Sequence, residues 1–206
     1  MGSQLLKYLN ISKFSILNGK LKYKMDLITA VRNGNVNLVR RLIPHVNLDV
    51  QDRNGFTALM YAVRSNNAEI TRLLLVNGAN PNIENINGNT AIFLTNNYTI
   101  CFLLLRYRAE VNIRNRDYDT PLTSGFITYN KVDLLLRYGA DPNERNGFGV
   151  PILILATQDD NLAVVELLLQ AGADPNLEDE DGMTALDYAN EENNMTMVNL
   201  IVSYGA

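Results

Sequence analysis

"LLLRYGADPN", Leu134 to Asn143, decides how this chain folds, because it is spelled twice more with small changes. "LLLVNGANPN" runs from Leu73 to Asn82, and "LLLQAGADPN" from Leu167 to Asn176. A degenerate version ends at Leu105, so the leucine triplets close at 75, 105, 136 and 169, at intervals of 30, 31 and 33. A second marker precedes each triplet. It reads "GFTALMYA" from Gly55, "GNTAIFLT" from Gly88, "YDTPLTSG" from Tyr118, "GVPILILA" from Gly149 and "GMTALDYA" from Gly182. Its third position is Thr57, Thr90, Thr120, Pro151 and Thr184, at intervals of 33, 30, 31 and 33. Two markers advancing in step define an internal repeat. Fainter copies extend it both ways, from Met25 and from Met197 to the end.

Each unit has a physical reading. A threonine before Ala/Pro-Leu is a helix start, since its hydroxyl accepts from a free N–H and Pro121 suits a first helical position. Leu59, Ala62 and Val63 form one apolar stripe; after a polar break, Ile70, Leu73 and Leu74 form another. Gly78, Gly139 and Gly172 follow the triplets, where a helix ends in a left-handed residue. Asx-Pro-Asn then turns the chain. The unit is helix, turn, helix, loop. One such pair cannot bury both faces, and stacked copies can.

These markers resemble the ankyrin-repeat family. The likeness rests on the Gly-x-Thr-Ala/Pro-Leu starts, the Leu-Leu-Leu ends and the Gly-Ala-Asp/Asn-Pro-Asn loops, and covers about Met25 to Ala206. It implies an all-α solenoid of stacked helix-turn-helix units with short β-hairpin loops at right angles. It also implies a concave face of hairpins and first helices that usually binds another protein. We divide the array into 25–51, 52–84, 85–114, 115–145, 146–178 and 179–206. Residues 1–24 are expected to be an N-terminal extension or cap, with Leu5, Leu6, Leu9, Phe14, Ile16 and Leu17 available to cover the first unit.

The departures are informative. From helix start to the last triplet leucine is 18 residues in units two and five, but 15 in unit three and 16 in unit four. The lost residues fall in "LTNNYTIC" and "TSGFITYNKV", so a truncated or irregular first helix is predicted in both. The family's signature histidine is replaced by Met60, Phe93, Thr123, Ile154 and Asp187, which predicts looser coupling between loops. Pro151 replaces a capping threonine, so that helix should start less well satisfied.

Composition excludes several functions. Residues 1–24 hold five lysines and no acid; beyond them 13 basic residues face 22 acidic ones, a charge of -9 that argues against general nucleic-acid binding. No apolar run nears the ~18 residues of a membrane span, and residues 1–24 do not read as a secretory signal. One cysteine, Cys101, suits a reducing compartment and reads as a buried thiol. The single histidine, His45, reads as a surface residue. "LEDEDG", Leu177 to Gly182, lacks the oxygen ligands of a calcium loop. No catalytic, cofactor or metal residues are expected.

A binding surface is expected on the loops. Gln51, Glu84, Arg114, Arg145 and Glu178 stand just before the unit boundaries; two places later stand Arg53, Ile86, Arg116, Gly147 and Glu180. Arginine and aromatic residues are enriched at interface hot spots. The candidate partner-binding residues are Arg53, Phe56, Arg64, Ile86 and Arg114, together with Arg116, Tyr118, Arg145 and Phe148. The partner is expected to be a protein segment, acidic toward the middle units and basic toward the C-terminal end, where Glu178, Asp179, Glu180 and Asp181 collect, met by a monomer inside the cytoplasm of its own cell or of a host. An alternative is a single-surface inhibitor of an enzyme such as a kinase, which ankyrin-type inhibitors of similar size exemplify.

Overall fold

The structure, a computed structural model, describes residues 26–125 and 127–205, together with the backbone of two strands before them. β1 (Phe14–Leu17) pairs antiparallel with β2 (Lys20–Tyr23), Phe14 opposite Tyr23. This hairpin within the extension had no counterpart in the sequence reading. The side chains proposed there to cover the first unit lie outside the described residues.

Ten short α-helices follow among the described residues, mostly in pairs. α1 (Leu27–Arg32) and α2 (Val36–Leu42) form the first, α2 running into a 3-10 turn at Ile43–His45. α3 (Ala58–Arg64) and α4 (Ala68–Val76) form the second. The third has only a 3-10 turn, Ala91–Leu94, before α5 (Tyr98–Arg106). In the fourth, α6 (Tyr129–Arg137) is preceded by turns alone, where the Thr123 and Ser124 amides reach back to the Thr120 carbonyl. α7 (Ile152–Gln158) with α8 (Leu162–Gln170), and α9 (Ala185–Glu191) with α10 (Met195–Ser203), complete the series. Both first helices expected to be short are therefore reduced, one to a 3-10 turn and one to no helix.

Capping explains why helices this short form. Thr57 accepts from the Met60 N–H at 3.2 Å, and Thr184 and Asp187 exchange bonds in a capping box. Five of the six second helices share a device the sequence reading missed; α6 alone, after Thr128, has no side-chain cap. Asn35, Asn67, Asn97, Asn161 and Asn194 each accept from the amide three residues on, at 3.0 to 3.3 Å. Pro151 makes no cap bond, as expected, but the Ile152 amide after it is satisfied by the Glu144 carbonyl at 2.8 Å.

One apolar cluster runs from Leu27 to Ile201. The second helices pack in order, α2, α4, α5, α6, α8 and α10, each touching the next. First helices form the other layer, α1 on α3 and α3 on the 3-10 turn, then α7 on α9. The triplets lie between the layers: Leu74, Leu104, Leu135 and Leu168 are fully buried.

The shortened units carry unresolved polarity. Thr90 Oγ1, Ser124 Oγ and Thr128 Oγ1 are buried without hydrogen-bond partners, and all three lie there. Lys131, 3% exposed, occupies the helix position that holds Ile70, Ile100, Val164 and Met197 elsewhere. Its ammonium has one long bond, 3.5 Å to the Ser124 carbonyl. Burial pushes its pKa down, and the nearby Cys101 thiol opposes that weakly. A buried, poorly satisfied amine destabilises the fold. We therefore expect Lys131→Met to raise the midpoint of urea unfolding, by about 1 kcal/mol or more in stability; a lower midpoint would show that the amine supports the shortened unit.

Candidate protein-binding face

Each loop is tied by one side chain. Asp52, Asn85, Asn115, Asn146 and Asp179 open the loops. Each accepts from the amides two and four residues later, at 2.9 to 3.1 Å. The backbone closes around them, as from the Asn115 amide to the Asp119 carbonyl at 2.9 Å. These loops are hairpin-shaped turns; Arg145 and Pro151 form the one isolated bridge among the described residues.

Neighbouring loops are bonded across one period. Gln51 Nε2 donates to the Gly55 and Glu84 carbonyls, both at 2.8 Å. Arg145 Nη1 does the same to Gly149 at 2.6 Å and Glu178 at 2.7 Å. Arg114 donates to the Tyr118 carbonyl at 2.8 Å and the Arg145 carbonyl at 3.3 Å, and pairs with Glu144. A second row runs beside the first. Asp49, Asn82, Asn112 and Asn143 accept from the amides of Asn80, Glu110, Asp141 and Asp174. Where the signature histidine is missing, these two rows cross-bond the loops instead. Arg114 and Arg145, expected among the binding arginines, thus also hold the framework, Arg145 through Nη1 alone.

Five of the remaining candidates stand on the outer tips. Arg53 and Arg116 are exposed, as are Ile86 at 50%, Tyr118 at 70% and Phe148 at 81%. Tyr118 and Phe148 are on adjacent tips: a Cβ at Gly147 would collide with the Asp117 carbonyl oxygen and lie 3.7 Å from the Tyr118 Cβ. Tyr118 has φ +63, at the position where Gly55, Gly88, Gly149 and Gly182 have φ of +74 to +76. A bulky residue in that left-handed region costs about 1–2 kcal/mol relative to glycine. Its exposed ring returns nothing visible to the fold.

Phe56 and Arg64 belong to a different cluster, on the first-helix face. The Phe56 and Tyr61 rings lie 5.2 Å apart. Arg64 sits 4.8 Å above Phe56 and 5.1 Å above Tyr61, and Arg32 5.3 Å above Tyr61. The Tyr61 hydroxyl donates to Asp52 at 2.6 Å, which lowers the carboxyl pKa and, with burial, raises that of the phenol. Tyr188 repeats this with Asp179 at 2.7 Å, with the same opposed shifts. Arg32, Tyr61 and Tyr188 were missed by sequence reasoning. The signal for the two tyrosines was present as a tyrosine nine residues after the loop aspartate in units two and six.

Reactive groups are few. Cys101 is buried, and desolvation pushes its thiol up to about 11. His45 is exposed at the end of the first pair. No group of His, Cys, Asp or Glu residues able to hold a metal ion, and no helix long and apolar enough to cross a membrane, occurs among the described residues.

Comparison with known proteins agrees with this geometry. The family described as ankyrin repeats matches in three copies, at residues 3–85, 27–117 and 123–206. An ankyrin repeat protein of fowlpox virus (strain NVSL) is 33% identical over 162 residues, covering 70% of this chain. The chain spans 48% of that relative's length. An ankyrin repeat domain from Acinetobacter baumannii AYE superposes with a TM-score of 0.78 at 28% identity, covering 87% of this chain and 97% of that one. The ankyrin repeat domain of Bcl-3, a member of the IkappaB protein family, gives 0.76 at 30% identity, covering 87% and 86%.

The loop bonds separate framework arginines from exposed ones. Arg145→Ala should lower stability by about 1–2 kcal/mol by stranding two carbonyl acceptors, whereas Arg116→Ala should change it by less than about 0.5 kcal/mol. Urea unfolding of both variants checks this; equal effects would contradict the assignment.

Proposed function

The chain belongs to the ankyrin-repeat family, whose repeats generally mediate protein–protein interaction, and we propose that it is a non-enzymatic module gripping a protein partner at its loop tips and first-helix face. The carrying observation is Tyr118: a strained, 70% exposed aromatic residue with Phe148 beside it and Ile86 along the same edge. Strain held without structural return marks a functional site, and exposed aromatic side chains supply much of the energy of interface hot spots. Arg53 and Arg116 flank the edge and would steer the encounter. Arg114 and Arg145 shape it from behind.

The six segments from residue 25 form the binding domain in this reading, with residues 1–24 as its extension or cap. The module acts as a monomer inside a cell, its own or a host's, and recognises neither nucleic acid nor membrane. The acidic balance beyond residue 24 supports the first exclusion.

A paired substitution tests this. Tyr118→Gly should raise stability by about 1 kcal/mol by relieving the left-handed strain. Tyr118→Gly with Phe148→Ser should weaken partner retention about tenfold or more. Quantitative affinity capture with the tagged full chain reads the second effect. A variant that is more stable and retains every protein the wild type retains would refute the role of the tips.

A further inference from the structure

The last residue of each first helix changes character along the array. It is Arg32 in α1, Arg64 in α3, Gln158 in α7 and Glu191 in α9. The two reduced units between them contribute no such helix end. The turns that follow agree: Asn33 and Ser65 are neutral, whereas Asp159 and Glu192 are acidic. The loop tips run the same way, from Arg53 through Arg116 to Glu180. Two separate rows of side chains therefore carry one polarity, basic at the first units and acidic at the last.

Both ends are built to receive charge. At the basic end, neither the Arg32 nor the Arg64 guanidinium donates a hydrogen bond to protein or forms a close ion pair, among the described residues, although the Arg32 charge acts on Asp52 from a distance. The rings of Phe56 and Tyr61 hold both guanidiniums by their faces, which leaves the N–H edges open for a carboxylate. The nearby Asp52 is occupied by the Tyr61 hydroxyl and two amides. At the acidic end a groove of about 780 Å³ opens between the ends of α7 and α9, lined by Gln158, Asp160, Tyr188, Glu191 and Glu192.

Resting on the protein-binding reading above, we propose that the first-helix face binds a partner segment with carboxylates at one end, seated on Arg32 and Arg64, and cationic side chains at the other, seated in the Asp160–Glu192 groove. A uniform polyanion fits one end and is repelled by the other. The middle units add no helix-end charge to this row, because their first helices are reduced to a 3-10 turn and to turns alone; Arg114 and Arg145 keep their charge but are tied to the loop carbonyls. The partner's acidic part thus belongs at the first units, not the middle ones. From α3 to α9 there are four steps between neighbouring units. At ~10 Å each they span ~40 Å, or about twelve extended residues.

The test uses the full chain and two labelled peptides of one composition, read by fluorescence anisotropy at low salt. One has about four Glu, a Gly/Ser spacer of about ten residues and about four Lys; the other alternates Glu and Lys throughout. The blocked peptide should bind about tenfold tighter or more, and Arg32→Gln/Arg64→Gln should abolish that preference while the far-ultraviolet circular dichroism stays unchanged. Equal binding of the two peptides, or an undiminished preference in the double variant, overturns the proposal. The Tyr118 and Phe148 variant separates the two readings. If it loses partner retention while the wild type shows no preference between peptides, the loop-tip site stands and the charge-polarised groove does not.

Discussion

No α-helix among the described residues is longer than nine residues, and isolated helices shorter than about 12–15 residues are marginal in water. The fold depends on the apolar contact each helix pair makes with its neighbours. Leu74, Leu104, Leu135 and Leu168 are fully buried because units on both sides cover them. Asparagine caps and glycine-terminated ends lower the cost of starting and stopping each helix, but they do not replace that contact.

The same dependence explains where the array tolerates damage. Units three and four lose most of their first helices, yet α5 and α6 keep full length because the second-helix layer continues unbroken through them. The loss falls on polar atoms: three hydroxyls without partners and one amine with a single long bond. It also removes two side chains from the row of first-helix ends. The basic and acidic halves of that row are thereby held apart by a neutral interval.

Much of the fold was legible in the sequence, and less of the site. Thr57, Gly78 and the leucine triplets encode local geometry, and their spacing alone exposed the two reduced helices. Arg114 and Arg145 were legible as loop arginines, but their bonds to carbonyls one period away follow no local pattern. Gln51 performs the same task as Arg145 but carries no charge to draw attention. Lys131 sits in an apolar stripe on a helix with the right period, and only burial shows that its amine is enclosed. Tyr118 was legible as an interface type standing where four other units carry glycine, but only the structure shows that it takes their left-handed backbone.

Hydrogen exchange in a Leu135→Ala variant tests most directly whether neighbouring pairs hold one another up. Removing this buried side chain from α6 should speed amide exchange in α5 and α8 as well as in α6, because each relies on the next. Exchange that accelerates in α6 alone would show that the pairs are stable independently, and would contradict the account.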